Sequence, residues 1–458
     1  MKTFYKKLAV LVLPIAFQNF MLALVSATDA VMLGKMSQNM LSAVSLASQI
    51  TFVHSLFLAA LTIGMTILVA QYWGNGDRVA VEKITAHVML ISGSISAAFS
   101  VVSTVFPQAL MAIFTSDAAL IQFGSSYLRT VGVSYLLSGI SQVYLCAMKN
   151  SGRAVRSMII SSVTVILNIL FNALLIYGLA GFPAMGIAGA ASATVLCRCI
   201  ELLWAFVESL GKGRIRLRFT YVLRNEKSLT SGFRRYTAPV LANELAWGCG
   251  FTMYSVIMGH LGSDAVAANS LANIVKNLIV CFCLGIGNGG GIIIGNELGH
   301  NDLALARKDG DTLLRLSVTG GIITGMILLA VSPLIVRITT LSPQAEVYFK
   351  GMSILCACYL VGKSVNSALV GGIFCAGGDS KFGFICDSIT MWLVTVPLGC
   401  VTAFILHWPV VAVFAVINMD EVIKLPAVLI HYKKYNWVRN LTRLEPDKHI
   451  QSGREHNI

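Results

Sequence analysis

Asp29, Asn168, Asn172, Thr194 and Tyr127 offer a carboxylate, two amide oxygens, a hydroxyl and a phenol, all inside stretches almost free of charge. That donor set suits a dehydrated sodium ion, or a carboxyl group that gains and loses a proton. Asp29 interrupts LPIAFQNFMLALVSATDAVMLG (13–34), an apolar run long enough to cross a bilayer, since about 20 helical residues span the hydrocarbon core. An ionised group there is expensive and marks a functional position by default. Its charged form is disfavoured unless a cation neutralises it. The alternative is an acid that snorkels to the outer surface. Asn168 and Asn172, in NILFN, lie four apart on one helix face. Counted from the outer ends of their spans at Gly34, Gly178, Gly186 and Leu120, the five groups reach similar depth. Interhelical hydrogen bonding is the competing reading of the two asparagines. Pro14 precedes Asp29 in the same run. It removes a backbone hydrogen bond and lets the helix bend.

A second group of charges lies further along. Glu244 falls near the middle of its apolar run. Lys363 reaches a similar depth in LCACYLVGKSVNSALVGG, a run without an acid. Lys363 is expected to neutralise Glu244 or another acid, and a binding site and a structural ion pair are equally open. Arg198 with Glu201, and Glu421 with Lys424, sit three apart, a spacing that permits local ion pairs. Asp387 is gate or scaffold, and Lys276 has no assigned partner.

The elements that must position these groups are transmembrane helices. The chain has 458 residues, 56% hydrophobic and 12% charged, with mean hydropathy +0.75. Soluble domains carry about twice that charge. The expected fold is an all-α integral membrane protein of twelve spans with soft edges: 8–34, 44–73, 83–113, 120–147, 156–178, 186–210, 233–259, 268–297, 309–337, 346–374, 382–405 and 409–431. The start is read as the first span, not a cleaved signal. Basic residues crowd the N-terminus, alternate loops, the stretch GKGRIRLRFTYVLRNEKSLTSGFRR and the C-terminal tail, whereas the other loops hold little beyond Lys35, Arg129, Arg337 and Lys350. Both termini are therefore expected in the cytoplasm, and the net charge of +13 does not point to nucleic acid. The 11 cysteines lie mostly in apolar runs and read as small hydrophobes.

The two halves repeat at a constant offset of 225 residues. Pro14 falls on Pro239, Gly34 on Gly259, Gly64 on Gly289, Gly74 on Gly299 and Asp77 on Asp302. Six spans per copy is an even number, so the copies insert alike, as in transporters with a path between two lobes. The expected division is an N-lobe over 1–210, a cytoplasmic linker over 211–232, a C-lobe over 233–435 and a tail over 436–458. Gly287, Gly291 and Gly295 recur every four positions, a spacing that lets helix backbones approach.

TDAVMLG, AQYWGNGD, APVLANEL, GHLGSDAVAANSLA, GNELGHND and CAGGDSKF, in that order, resemble the multidrug and toxic compound extrusion (MATE) family over essentially 8–435. The resemblance implies a twelve-helix, two-lobed secondary antiporter that exchanges protons or sodium ions for amphipathic, often cationic, organic compounds. It implies the same coupling constellation of Asp29, Asn168, Asn172, Thr194 and Tyr127. In one branch the position of Asn172 is an aspartate, and in another a glutamate at Glu244 joins an acid in span ten. Neither second acid is present here, which weakens tight cation coordination in both lobes. Pro14 and Pro239 are the expected hinge positions. No cofactor is expected beyond the coupling ion, with sodium at Asp29, Asn168 and Asn172 the metal alternative. The partners are a small organic substrate and membrane lipid, and the chain is read as a monomer in the plasma membrane. The rivals are an exporter of lipid-linked or other biosynthetic precursors and, more weakly, an intramembrane enzyme or a channel. VGKS at 361–364 lacks the opening glycine of a phosphate-binding loop. No HExxH motif is present, and the GxGD match GNGD at 74–77 lies in the polar cluster after span two, outside the apolar runs.

Overall fold

A computed structural model describes residues 2–34, 38–211, 213–216, 221, 227–339 and 341–443. No strand occurs among them. Among the described residues twelve principal helices form two lobes of six, with a short helix, Pro107–Ala112, after the third. In the first lobe α1 is Lys2–Gly34, α2 Gln38–Gly74, α3 Arg78–Val105, α4 Ala118–Asn150, α5 Ala154–Tyr177 and α6 Ile187–Ser209. In the second, α7 is Lys227–Gly259, α8 Ser263–Gly299, α9 Leu303–Ile338, α10 Pro343–Phe374 and α11 Ser380–Ile405. α12 is assembled from Val410–Ile417, Asp420–Ile423 and Leu425–Lys433. Ten helices among the described residues are long and apolar enough to cross a membrane. The other two are α7, which carries Arg234, Arg235 and Glu244, and the interrupted α12.

The internal repeat is written into the helix ends. Asp77 caps α3 by accepting from the Ala80 amide, and its counterpart Asp302 caps α9 by accepting from Leu305. Asp117 and Ser342, also 225 apart, cap α4 and α10. Each side-chain oxygen takes up a backbone N–H that the first turn leaves without a partner. Before the first pair of caps, Gly76 and Asn301 hold the left-handed turn at φ 80° and 65°.

The lobes meet through α1 on α8, α7 on α2, and α2 on α8. Glycine makes these contacts close. Gly289 lies against Val12, and Gly64 against Thr237, so neither position has room for a side chain. These two contacts are the same contact with the lobes exchanged, since each residue lies 225 from its counterpart. The glycine row of α8 serves several neighbours. Gly287 abuts Ser367, Gly291 abuts Gly372 and Gly295 abuts Ala70. Where α10 receives these contacts its backbone widens into a π-helical stretch, Ser367–Phe374.

The start of α1 and the segment that follows α12, the two ends of the described chain, lie at one end of the bundle. Leu8 and Leu11 of α1 share a core cluster with Tyr432 and Trp437. The segment after α12 folds back onto this end rather than leaving it. Trp437 is fully buried and stacks on Tyr432, and Leu441 inserts among Phe233, Tyr236 and Ile215. Residues 436–443 therefore pack with the lobes.

Candidate functional site

A cavity of about 800 Å³ lies within the first lobe, toward the end opposite the termini. Leu22, Val25 and Leu33 of α1 form one wall. Thr51, His54 and Thr62 of α2, Tyr127 and Tyr135 of α4, and Asn168 of α5 complete the sides, with Thr194, Arg198 and Glu201 of α6. Three members of the expected constellation, Tyr127, Asn168 and Thr194, thus line one space. Asn172 does not line it. It is buried one turn along α5 and donates from Nδ2 to Asn168 Oδ1 at 3.1 Å. Thr194 Oγ donates to the Ala190 carbonyl of its own helix. Asp29 is on α1, and its side chain lies outside the described residues.

The polar inner part of the cavity belongs to Glu201. Arg198 Nη1 reaches Glu201 Oε2 at 2.9 Å, as their spacing allows. Ser141 and Gln142 of α4 donate to Glu201 Oε1. The carboxylate is buried with its charge balanced and its oxygens hydrogen-bonded, the condition under which a charge survives burial. His54 Nε2 is 2.9 Å from Ser96 Oγ, and Tyr135 pairs with Thr51 at 2.9 Å. His54, Ser141 and Gln142 were not anticipated as site residues. The available signal for His54 was a lone imidazole in the middle of span two, opposite Ile279 in the second copy.

Lys363 of α10 is held by Glu421 of α12 at 2.9 Å, so its partner is the other acid and not Glu244. Lys424 binds Glu421 at 3.1 Å and Asp387 of α11 at 2.8 Å. Asn366 donates to Glu421 Oε2, and Asn243 of α7 donates to Asp387 Oδ2. The charges alternate along the chain Lys363, Glu421, Lys424, Asp387 and tie α10, α11 and α12 together, with α7 joined through Asn243. Lys363 also lies 6.0 Å from the Trp247 ring centroid. Glu244, half-buried on α7, has no hydrogen bond or ion pair among the described residues. Lys276, unassigned from sequence, donates to Asn418 and sits 4.7 Å over the Tyr359 ring. Among the described residues no group of three or more His, Cys, Asp or Glu side chains forms a metal-binding cluster.

Pro14 and Pro239 both lie inside unbroken helices. Pro14 falls between Val12 and Ala16, which rest on Gly289 and Gly285 of the opposite lobe. Pro239 follows Thr237, which rests on Gly64. Each proline therefore stands where its helix leans on the other lobe.

The sequence profile of the MatE family matches residues 14–174 and 239–401. The two matched segments begin at Pro14 and Pro239. The chain is 22% identical over 414 residues to the uncharacterized transporter YisQ of Bacillus subtilis, covering 90% of each. It is 27% identical over 421 residues to the probable multidrug resistance protein NorM of Thermotoga maritima, covering 86% of this chain and 85% of NorM. Among solved structures it superposes with TM-score 0.86 on an outward-facing multidrug resistance MATE transporter of the MOP superfamily, at 14% identity over 94% of this chain and 95% of that one. A Pyrococcus furiosus MOP superfamily transporter, described as having a binding pocket of reverse polarity, superposes with TM-score 0.85 at 15% identity, covering 94% and 95%.

Proposed function

The chain belongs to the MatE family of membrane transporters, and on that premise we propose that it is a secondary active antiporter. It exports amphipathic, often cationic, organic compounds in exchange for protons, by alternating access across the plasma membrane with both termini cytoplasmic. The observation that carries this reading is the 800 Å³ cavity of the first lobe. Its size fits a drug-sized ligand. Its walls combine apolar groups such as Leu22, Val25, Phe52 and Val131 with the hydroxyls of Tyr127 and Thr194 and the amide of Asn168. Val25 and Leu33, on either side of Asp29 in sequence, both line it. Neutralising Asp29 would let α1 repack against α5 and α6, and substrate would lose room.

The proton is favoured over sodium for two reasons. Asn168 Oδ1 already accepts from Asn172, which reduces the oxygens free to ring a metal ion. In the second lobe Glu421 already has two ammonium groups beside it, and Glu244, without an ion pair among the described residues, gains no second acid from LCACYLVGKSVNSALVGG of α10. Coupling through the first lobe is then the simpler route. The test is efflux of a fluorescent organic cation from vesicles containing the purified protein, first under a pH gradient alone and then under a sodium gradient alone. Efflux under the pH gradient supports the proposal. Efflux only under sodium with pH clamped replaces the ion, and efflux under neither gradient removes antiport.

A further inference from the structure

A second large pocket, of about 570 Å³, lies at the end that bears the termini. Three chain segments converge on it. Arg235 comes from α7, Lys381 from the first turn of α11, and Arg439 from the segment that follows α12. All three are exposed, and none has an ion pair among the described residues. The one acid on the wall, Asp379, is already engaged, with His431 Nε2 2.6 Å from its Oδ2. The His431 ring is itself fixed by stacking on Phe382 at 3.7 Å. Among the described residues the pocket therefore gathers three cations with no free counter-charge. Such a concavity concentrates anions. Two guanidinium groups and an ammonium suit phosphate oxygens in particular, because the guanidinium fork binds them bidentately.

The backbone around the pocket is closely fitted. Gly378 holds φ 76°, and Gly377 is pressed against the Trp437 carbonyl so closely that any side chain there would clash. Ser380 Oγ donates to the Tyr236 carbonyl at 2.9 Å, joining α11 to α7. The segment carrying Arg439 then crosses the seam between the lobes. Gln71 of α2 donates to the Ala376 carbonyl at 2.6 Å and to the Arg439 carbonyl at 3.1 Å, and accepts from the Leu441 amide at 2.6 Å. Asn440 donates to the Gly299 carbonyl of α8 at 3.3 Å. Arg439 thus lines the pocket with one part and holds the seam with another.

We propose that this pocket binds a phosphate-bearing anion, and that the bound anion clamps residues 437–443 over the seam and keeps this end of the transporter closed. A ligand that bridges Arg439 to Arg235 and Lys381 binds the closed arrangement better than one in which the segment has moved away. It shifts the equilibrium by that difference in affinity. The chemistry is shared by an acidic phospholipid headgroup and a soluble phosphate compound. Binding does not depend on the antiport reading. Only the consequence for transport does, so the two can fail separately.

The test uses the full-length protein in two settings. One is phosphatidylcholine vesicles with and without phosphatidylglycerol, and the other is uncharged detergent with inorganic phosphate or chloride at equal ionic strength. Thermal unfolding is titrated against each anion, and hydrogen–deuterium exchange is followed over 437–443. The variant is Arg235→Gln/Lys381→Gln/Arg439→Gln. The control is Arg234→Gln/Lys433→Gln/Lys434→Gln, three exposed cations outside the pocket lining. Each cation near an anionic group is worth roughly five-fold in affinity, so the triple variant should bind about 100-fold more weakly. The control should bind as the wild type does. Stabilisation by phosphatidylglycerol but not by phosphate assigns a lipid headgroup, and the reverse assigns a soluble ligand. Either result supports the site. Equal losses in variant and control would reduce the effect to diffuse surface charge and overturn it, as would no stabilisation by either anion. Binding without slower exchange over 437–443 would overturn the clamp.

Discussion

Gly74 of α2 abuts the backbone carbonyl of Asn296 in α8, and Gly299 of α8 abuts the carbonyl of Gln71 in α2. Because Gly299 and Asn296 follow Gly74 and Gln71 by the same 225 residues, this is one contact made twice across the axis that relates the lobes. Ala70 and Gly295, the next such pair, also touch. The end bearing the termini is therefore shut by helix backbones, which approach this closely only where side chains are absent or small.

That contact gives the first prediction. Gly74→Val, and Gly299→Val alike, should force α2 and α8 apart at this end and lower transport. A cysteine placed at the fully buried Ala70, with the exposed Cys249 and Cys358 replaced by serine, reports the change. Its reaction with a membrane-impermeant maleimide should be faster in the valine variants than in the parent. Equal rates would show that the seam absorbs the added methyl groups without opening.

The second concerns the ion network of the other lobe. Lys363→Met leaves Glu421 buried with one cation fewer, and breaking a buried pair in this way costs about 3–5 kcal/mol. Adding Glu421→Gln removes the stranded charge and leaves Lys424 with Asp387, a balanced pair at 2.8 Å. The double variant should recover much of the lost thermal stability. Glu244→Gln should cost far less, since Glu244 has no ion pair among the described residues. A large loss from Glu244→Gln, or no recovery in the double variant, would refute this assignment.

The contrast between Lys363 and the repeat shows what the sequence could and could not reveal. Proline, glycine and aspartate holding one register give the lobes, the two prolines and the capping residues, because each of those roles is local to one helix end or one close contact. Depth along a span is likewise countable, which is why Tyr127, Asn168 and Thr194 fall on one cavity. Lateral partners are not countable. Whether Lys363 reaches Glu244 or Glu421 depends on how α10 packs against α12, and α12 is broken after Ile417. His54 was missed because a single imidazole in an apolar run carries no spacing signal. The burial of Trp437 and Leu441 was missed because a basic segment after the last span reads as a free tail.

The third prediction concerns Pro14. It stands between Val12 and Ala16, whose contacts with Gly289 and Gly285 hold α1 to the opposite lobe. Without a proline N–H, the helix lacks one hydrogen bond at the point where it rests on those contacts, which is where a hinge would act. Pro14→Ala restores the bond and stiffens α1. Transport should fall while expression and thermal unfolding stay close to the parent. Unchanged transport would dismiss Pro14 as a hinge and leave it a packing residue.

The last prediction tests coupling at Asp29. Antiport requires that ion and substrate exclude each other through one element with two arrangements. α1 is placed to be that element, because Leu22, Val25 and Leu33 form a cavity wall on one side, while Val12 and Ala16 rest on the other lobe. Asp29→Asn holds the position neutral whatever the proton gradient, so the arrangement favoured by neutralisation should persist. The variant should insert and fold, and should still bind a fluorescent organic cation, at reduced affinity if the carboxylate attracts it. It should not move that cation against a concentration gradient when only a pH difference is imposed. Downhill exchange between the two sides should survive better than uphill export, since exchange does not need the proton. Full uphill export by Asp29→Asn would remove Asp29 from coupling and pass the role to titratable groups that line the cavity, such as His54 and Glu201.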